Sequence, residues 1–434
     1  MTPRHDNAPP DPPELRRPAA EIHVNARIPV QAPDPADAAP QPLAGVALSW
    51  SPVIGRDERP IGFRLRLRGR PAEGSLAALL DDALAGFTGE TSGMPHGLVL
   101  LAPEDVPADD SLAYWAGPRN VLLECDQRTL ADAAQRERVI AAQLRGVRLA
   151  LRVSGGGWPA AELLAPFQYL VGPASLVARA GMPPREVALL ASGIDSHAGL
   201  HAAFAAGAHG AIGLPSDPPA GADGLRPQQR ALLNLVRLVQ SDADVDEVQK
   251  EFKREPMLAY MLLTLANSPA FMRGTPIASL AHAIQLLGYQ RLVKWLVLLL
   301  VIASKDGKAL PAIYTAVLRG LLLENAAAAT GAASVVRDHC FVLGAFSMLD
   351  RITGRTLGQL TQDLPLPDPL LAALNRAGGP YAAWLDLALA VEDDASTGPT
   401  RVAEAAAALG LPVGSVNLAL LKALSTNDAL QTLV

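Results

Sequence analysis

The chain has 434 residues, of which half are hydrophobic and 18% charged, so we expect two or three domains with sizeable buried cores rather than general disorder. Its net charge of −6 excludes a broad electrostatic attraction to nucleic acid or to an anionic membrane. The two cysteines, Cys125 and Cys340, are too few for a disulfide framework and indicate a reducing compartment.

Residues 1–43 are predicted to form a disordered tail. Eleven prolines occur in residues 1–42, and with few apolar side chains this stretch lacks the burial that would offset the entropy of ordering. It has no apolar core of a secretory signal, and the strongly apolar run 295–303 is too short to span a membrane. We therefore expect a cytoplasmic protein without membrane contact.

Residues 44–215 alternate between short β-like and helical segments, which predicts an α/β domain. Apolar strands bounded by helices are typical of strands buried on both faces, and about eight of them indicate a barrel or an open sheet. A hairpin-sized turn separates the first two. The domain is short for a barrel, so we expect trimmed or missing helices. The predicted strands are 46–54, 62–68, 97–103, 120–126, 147–153, 167–172, 186–194 and 210–215.

A second boundary is predicted at 216–227, a linker rich in Pro, Gly and Asp. Beyond it, residues 228–434 show helical periodicity almost throughout. Gly288 is predicted to break one helix from the next. The side chains predicted to share one face of the first helix are Leu232, Leu233, Val236 and Val239. The helices expected after it are 243–253, 256–267, 277–288, 289–303, 311–330 and 335–350.

The strand motifs of the first domain read, in chain order, GFRLRLRG, NVLLECDQ, LALRVSG, FQYLVGP, LLASGID and GAIGLP. This order resembles the EAL domain, the barrel of cyclic-di-GMP phosphodiesterases. The resemblance implies that the metal-binding Glu of the family falls on Arg64 and its paired aspartates on Arg152 and Val153. The catalytic-site lysine of the family falls on Val171.

Hydrolysis of a phosphodiester would need groups that this domain lacks. The first lysine of the chain is Lys250, beyond the barrel, so no register of the alignment supplies the lysine of the EAL site. Two-metal chemistry also needs several converging carboxylates, and the predicted strand ends offer only Asp126 and Asp195. The sequence therefore predicts a degenerate barrel that is not an enzyme, with no catalytic residue, metal or cofactor.

Arg68 matches a position of the EAL family that contacts phosphate, and it is a weak phosphate candidate that stands alone. A surface ion-pair partner is the interpretation we favour for it. His197 and His201 are spaced i,i+4 on a predicted helix and, with Asp195 and His209, suggest a zinc site. Surface histidines on an alanine-rich helix are the favoured interpretation of that group.

The helical half carries the motifs EPML (255–258), LANS (265–268), the run 277–288 that begins IAS, and the apolar helix 291–302. These resemble the HDOD domain, a helical relative of the HD phosphohydrolases. FVLGAFSMLD aligns with the Gly-Leu-Leu-His-Asp stretch of true HD enzymes, and Ser347 and Met348 replace the metal-binding pair there.

An HD metal site needs several histidines and aspartates, but residues 226–434 hold only His282 and His339. We expect His282 to pack or to cap a helix. Asn267 and Ser268 are predicted to end one helix and start the next through bonds from side chain to backbone, and an interaction role is the alternative.

Residues 401–424 resemble a helix-turn-helix. The second helix offers only Asn417 and Lys422 as polar groups for base edges or phosphates. Packing of this helix against the rest of the domain is favoured over DNA contact. No nucleic-acid partner is therefore expected.

The two resemblances together imply a trimmed, degenerate, TIM-like EAL barrel followed by an all-helical HDOD domain. Such an EAL–HDOD protein is expected to act in bacterial signalling by protein–protein contact, with an unknown partner on the HDOD domain. The barrel would add a second interaction face or a homodimer contact. Two alternatives stay open, a residual cyclic-di-GMP phosphodiesterase and a sensor that binds cyclic-di-GMP without hydrolysing it.

Overall fold

The structure is a computed structural model that describes most of the chain beyond the N-terminal segment. The predicted tail (1–43) and the predicted linker (216–227) lie almost entirely outside the described residues. The described residues are 43, 45–69, 75–87, 94–104, 106–184, 186–217, 227–267, 277, 279–302, 309–354, 356–363, 366–392 and 399–431.

Eight strands form a closed barrel in chain order, which confirms the predicted strands and the choice of a barrel over an open sheet. The first two pair as the predicted antiparallel hairpin, the first and last are also antiparallel, and all other neighbours are parallel. The strands are β1 (Ala47–Gly55), β2 (Pro60–Arg68), β3 (Leu98–Pro103), β4 (Val121–Asp126), β5 (Leu149–Arg152), β6 (Tyr169–Pro173), β7 (Ala188–Ile194) and β8 (Gly210–Gly213).

The helices around the barrel are incomplete, as the length of the domain predicts. In the described part of the β3–β4 connection the helical element is a 3₁₀ turn, Asp110–Tyr114, and the β5–β6 connection, which is described throughout, has no helix. The second helix starts after Asp132, whose carboxylate accepts two backbone N–H bonds of its first turn. The helices are α1 (Leu76–Ala85), α2 (Ala133–Leu144), α3 (Ala174–Ala180) and α4 (His197–Ala205).

The barrel interior contains one apolar layer and, level with it, one cation. Seven strands each contribute a buried apolar side chain to this layer, and β2 contributes Arg64, which pairs with Leu100 in the β2–β3 register. Because strand side chains alternate between faces, Phe63 and Leu65 point outward into the main hydrophobic core. The apolar layer consists of Val53, Leu100, Leu122, Ala150, Val171, Leu190 and Ile212.

Every helix or strand that the structure describes in the second half is a helix, as predicted. Leu232, Val236 and Val239 form the buried face expected for the first of its helices, with Leu233 half-buried. The helices are α5 (Pro227–Gln240), α6 (Val245–Arg254), α7 (Pro256–Ala266), α8 (Leu280–Ile302), α9 (Leu310–Ala329), α10 (Ser334–Phe346), α11 (Leu349–Thr353), α12 (Leu357–Asp363), α13 (Asp368–Leu374), α14 (Ala382–Ala390), α15 (Pro399–Ala408) and α16 (Val413–Gln431).

The break predicted at Gly288 lies inside α8, where this glycine has φ 70° and ψ 158°. A positive φ of this kind favours glycine, which explains why the helix changes direction there. The apolar run 295–303 belongs largely to the second part of α8, and Leu296, Val297 and Leu299 are buried in the protein core. Among the described residues no single helix has the length and hydropathy to cross a membrane. The helical segments Thr400–Ala408 and Val413–Asn427 reach that length and hydropathy only together, and they are bent by 98° relative to each other.

The helical half covers the open edge of β1. Asn417 of α16 donates from Nδ2 to the Val46 carbonyl (2.8 Å) and accepts at Oδ1 from the Leu48 N–H (3.1 Å). The Trp50 N–H donates to the Val391 carbonyl at 2.8 Å. These bonds satisfy strand groups that β8 does not reach, and they confirm that α16 packs against the rest of the protein rather than presenting Asn417 to solvent.

Candidate functional site

An ion pair lies inside the barrel near the carboxyl ends of the strands. Arg64 of β2 contacts Glu124 of β4 through Nη2 and Oε1, and the two side chains are 2% and 1% exposed. Glu124 and Asp126 are two residues apart on β4, so both carboxylates point to the interior face. The position where the EAL resemblance implies a metal-binding glutamate therefore holds a buried guanidinium.

Arg152 at the end of β5 connects the carboxylates of this region. Its Nε lies 3.1 Å from Glu124 Oε1 and its Nη2 lies 2.9 Å from Asp126 Oδ2. Its Nη1 lies 3.5 Å from Oε1 of Glu104, which follows β3. Burial alone would raise the pKa of Asp126, but hydrogen bonds from Arg128 and the charge of Arg152 lower it below the usual value.

Two further arginines of β2 reach Glu104. Arg66 lies 3.4 Å from Oε1, and Arg68 donates from Nε to Oε2 at 3.2 Å. The ion-pair interpretation of Arg68 is thus supported, but the predicted place on the surface is wrong. Arg68 is buried, with 6% exposure, because it lies on the inner side of the barrel end rather than on the surface. Arg66 and Arg152 contact the same carboxylate. The role of Arg68 as a phosphate contact stays a prediction.

We call this group of four arginines and three carboxylates the mouth cluster; it consists of Arg64, Arg66, Arg68, Arg152, Glu104, Glu124 and Asp126. Its carboxylates are bound by guanidinium groups, and cations in these places repel a divalent metal ion. No three His, Cys, Asp or Glu side chains of the described residues are grouped as a metal site would require.

Sequence reasoning missed Glu104 and Glu124, because it considered only the last residue of each strand. The period-2 alternation of β4 would have found Glu124, since it shares a face with Asp126. Glu104 gave no such signal. It lies one residue beyond β3, and only the closed barrel brings it to arginines from two other strands.

The helical half faces the barrel mouth with an ion pair of its own. Arg319 of α9 donates to both oxygens of Glu392, from Nε at 2.5 Å and from Nη2 at 2.8 Å. Its Nη1 donates to the Ser347 hydroxyl at 2.7 Å, while Met348 is fully buried. Where the HD resemblance implies a metal-binding pair, a serine therefore supports an arginine and a methionine packs in the core.

A cavity of about 670 Å³ lies between the mouth cluster and the helical half. Its barrel side includes Arg66, Ser192 and Asp195, and its helical side includes Arg351 and Arg401. Asp195, the acidic member of the proposed zinc group, therefore lines this cavity rather than a histidine cluster.

The three histidines of the zinc hypothesis have separate partners. His197 Nδ1 lies 3.2 Å from Asp217 Oδ1, and His201 Nε2 lies 2.9 Å from Glu58 Oε1. His209 Nδ1 accepts a bond from a backbone N–H of β7 at 3.2 Å. Although His197 and His201 share one helix, as predicted, they point to different elements of the barrel.

Asn267 joins the end of α7 to the segment before α8. Its Nδ2 donates to the carbonyls of Leu263 and Ile277, both at 2.8 Å, and its Oδ1 accepts the Ile277 N–H at 2.7 Å. These bonds fit the predicted role at a helix end. Ser268 lies outside the described residues.

The two histidines of the helical half, His282 and His339, have separate surroundings. His282 is exposed, so the prediction that its side chain packs is wrong; its backbone N–H is capped by Ser279 Oγ at 3.2 Å. His339 Nδ1 is bonded to the Tyr381 hydroxyl at 2.8 Å. Burial, with Cys340 nearby, raises the pKa of Tyr381 to about 12, so the phenol keeps its proton at neutral pH.

Comparison with known families identifies part of the helical half. Residues 227–338 match the HDOD domain. The match begins at the start of α5 and includes α7, α8 and the motifs on which the resemblance rests. The predicted boundaries of this domain, 228–434, extend beyond the match and stay a prediction.

Two curated relatives match part of the chain. A Vibrio cholerae protein named cyclic di-GMP phosphodiesterase CdgJ is 29% identical over 164 residues, which are 37% of this chain and 37% of that protein. The uncharacterized protein YuxH of Bacillus subtilis is 26% identical over 163 residues, 37% of this chain and 39% of that protein. The chain thus spans less than two-fifths of the length of these relatives.

Solved structures give only distant similarities. The match to the EAL enzyme Bd1971 in its cGMP-bound form covers 39% of this chain and 61% of the Bd1971 chain, with 12% identity and a TM-score of 0.28. The match to the PaMucR phosphodiesterase in complex with c-di-GMP covers 39% of this chain and 94% of the PaMucR chain, with 15% identity and a TM-score of 0.28. The match to the MmoQ response regulator of Methylococcus capsulatus covers 45% of this chain and 96% of the MmoQ chain, with 19% identity and a TM-score of 0.22. At such TM-scores these similarities carry no argument.

Proposed function

We propose that this chain is a non-catalytic regulatory protein of bacterial cyclic-di-GMP signalling that acts by contact with other proteins. The link to this signalling rests on the EAL-like strand motifs and on the Vibrio cholerae relative, which is named as a cyclic di-GMP phosphodiesterase. The HDOD match over residues 227–338 supports a regulatory role.

The observation that carries the proposal is the engagement of Glu124 by Arg64 and Arg152. A divalent ion bound there would lie close to two positive charges. Two unit charges 4 Å apart repel by about 4 kcal/mol at the effective dielectric constant of a protein surface, and the double charge of Mg²⁺ doubles this. The mouth cluster therefore disfavours the metal ions that phosphodiester hydrolysis requires.

A contact surface is supported by exposed apolar side chains in the HDOD match. Tyr260 of α7 exposes 67% of its surface and Leu286 of α8 exposes 37%, although the two helices pack together. Large aromatic side chains are enriched at the centres of protein interfaces. A partner of the HDOD domain is therefore expected to cover Tyr260.

Catalysis is tested by incubating the full chain with cyclic-di-GMP in the presence of Mg²⁺ or Mn²⁺. We expect no hydrolysis, and metal-dependent turnover would overturn the non-catalytic proposal. Saturable binding without turnover would favour the sensor alternative over a scaffold that acts only by protein contact.

The contact surface is tested by affinity capture with the full chain as bait. Proteins retained by the wild type are expected to be lost with Tyr260→Ser. Tyr114→Ser is the matched control, because Tyr114 is 76% exposed but lies on the barrel. Equal capture by the wild type and the Tyr260 variant would exclude this surface.

A further inference from the structure

The outer face of α2 carries large apolar side chains that the described part of the chain leaves exposed. Leu144 is 78% exposed and Ile140 is 38% exposed, while the opposite face of the helix is buried through Val139 and Ala142. Tyr114, on the 3₁₀ turn that packs against α2, is 76% exposed. Single exposed apolar side chains are common, but a group of them on adjacent elements is typical of a protein interaction site.

Charged groups lie at both ends of this apolar face. Glu137 precedes Ile140 by about one helical turn, and Arg145 follows Leu144 directly. Both charged side chains are exposed, and neither forms an ion pair with another described residue. The guanidinium carbon of Arg145 lies 4.7 Å from the centre of the Tyr114 ring, a cation–π contact that restricts its motion. The face is therefore apolar in the middle, acidic at one end and basic at the other.

The order of these groups fits a second copy of the same helix. In a twofold dimer the two surfaces are identical, so each group meets the group that lies equally far beyond the axis on the other copy. Glu137 and Arg145 each lie four residues from Ala141. Their separation of eight residues is slightly more than two helical turns, which keeps both charges on the same side of the helix. When two such helices cross antiparallel at Ala141, Glu137 of each copy faces Arg145 of the other.

We propose that the chain forms a homodimer in which α2 packs antiparallel against α2 of a second copy. Ile140 and Leu144 of both copies form the apolar centre of this contact, and two Glu137–Arg145 ion pairs flank it. Ala141 at the axis has a small side chain, so the two helices approach closely there.

The 3₁₀ turn beside α2 enlarges the contact. A standard interface buries roughly 800 Å² per partner, more than one face of a 12-residue helix offers. Tyr114 adds an aromatic side chain, a type that is enriched at interfaces. The dimer carries the surface at Tyr260 twice, and two linked sites bind a partner with higher avidity than one. Dimerisation through α2 does not depend on whether the barrel binds or hydrolyses cyclic-di-GMP.

Analytical ultracentrifugation of the full chain tests the oligomeric state. We expect a particle of twice the 45.4 kDa chain mass at concentrations up to about 100 μM, a range that includes weak dimers. Leu144→Gln is expected to raise the dimer dissociation constant by about a hundredfold, because the twofold axis removes two buried leucines at once. Met182→Gln is the matched control that should leave this constant unchanged, since Met182 is 44% exposed and follows α3 on the barrel.

Charge reversal tests the antiparallel pairing itself. Glu137→Arg and Arg145→Glu each place like charges at both ends of the interface, so each variant alone is expected to raise the dissociation constant by about tenfold or more. A mixture of the two variants brings opposite charges together at both ends. The mixture is therefore expected to form heterodimers with about the affinity of the wild type.

Heterodimers in the mixture, with weaker dimers of each variant alone, would support the proposal. A wild type that stays monomeric at about 100 μM would overturn it and leave the α2 face to a different protein. A dimer that Leu144→Gln leaves intact, or charge variants that dimerise like the wild type, would overturn it as well. Far-UV circular dichroism checks that each variant is folded. Capture of partners through Tyr260 is measured separately, so failure of this proposal leaves the proposed function untouched.

Discussion

Arg64 and Glu124 form an ion pair across the inside of the barrel, although β3 lies between their strands. Burial of two charges costs desolvation energy that roughly offsets their attraction, so the pair is not by itself a source of stability. Removing one partner is different, because the other charge then stays in the interior. The pair therefore constrains which substitutions the barrel tolerates.

Glu124→Leu is expected to lower the free energy of unfolding by about 3–5 kcal/mol, since Arg64 loses a buried counter-charge. Adding Arg64→Met should restore at least about 1 kcal/mol, because both charges are then gone. Denaturant unfolding of the two single variants and the double variant measures this. Asp386→Ala serves as control, since its pair with Arg376 is exposed and worth at most about 1 kcal/mol. Additive effects of the two barrel substitutions would contradict the prediction.

The Asn417 amide acts as a short substitute for a neighbouring strand along β1. Asn417→Leu leaves the Val46 carbonyl and the Leu48 N–H buried without this partner, and each such group costs about 1–3 kcal/mol. We expect a loss of about 2–4 kcal/mol in denaturant unfolding. Lys422→Gln, at an exposed position of the same helix, should change stability by less than about 0.5 kcal/mol. Equal stability of the two variants would show that β1 does not need the amide.

The strands and most of the helices could be predicted, because their signals are local. Apolar runs of strand length predicted the eight strands. The helical periodicity of residues such as Leu232 and Val236 predicted the buried face of α5. The strand pattern alone left a barrel and an open sheet as alternatives, since the pairing of β1 with β8 joins residues more than 150 positions apart and leaves no local signal. The resemblance to the EAL domain decided between them.

The site was only partly predictable for the same reason. The replacement of expected acids by Arg64 and Arg152 is visible in the strand motifs. The partners of these arginines are not, because Glu104 and Glu124 come from other strands and meet them only in the closed barrel. The cavity gave no signal in sequence at all, since its arginines come from β2, α9, α11 and the start of α15.

Gly344 allows α9 and α10 to pack in close contact. A Cβ atom added there would lie 2.5 Å from the backbone carbonyl of Arg319, so the two helices would have to separate. Gly344→Ala is expected to cost about 1–3 kcal/mol or more. Gly358→Ala is the matched control, because Gly358 is exposed on α12 and its added Cβ meets nothing within 4 Å. The control should stabilise the protein by about 0.4–1 kcal/mol, and a stable Gly344→Ala variant would show that the contact is not needed.

His339 is expected to make stability depend on pH in the acidic range. Its burial lowers its pKa in the folded protein, and the charge of Asp338 opposes this only in part. The unfolded chain, in which a histidine titrates near pH 6.5, therefore binds a proton before the folded protein does. Stability from this group is complete above about pH 6.5 and falls as the pH drops below that value.

His339→Asn places an amide near the Tyr381 hydroxyl, and an amide does not titrate. The variant should therefore lose less unfolding free energy than the wild type between about pH 7.5 and about pH 5. His282→Asn replaces an exposed histidine of the same domain and is the control that should keep the wild-type slope. If the wild type and His339→Asn lose stability in parallel as the pH falls, other groups carry the acid dependence and this account of His339 is wrong.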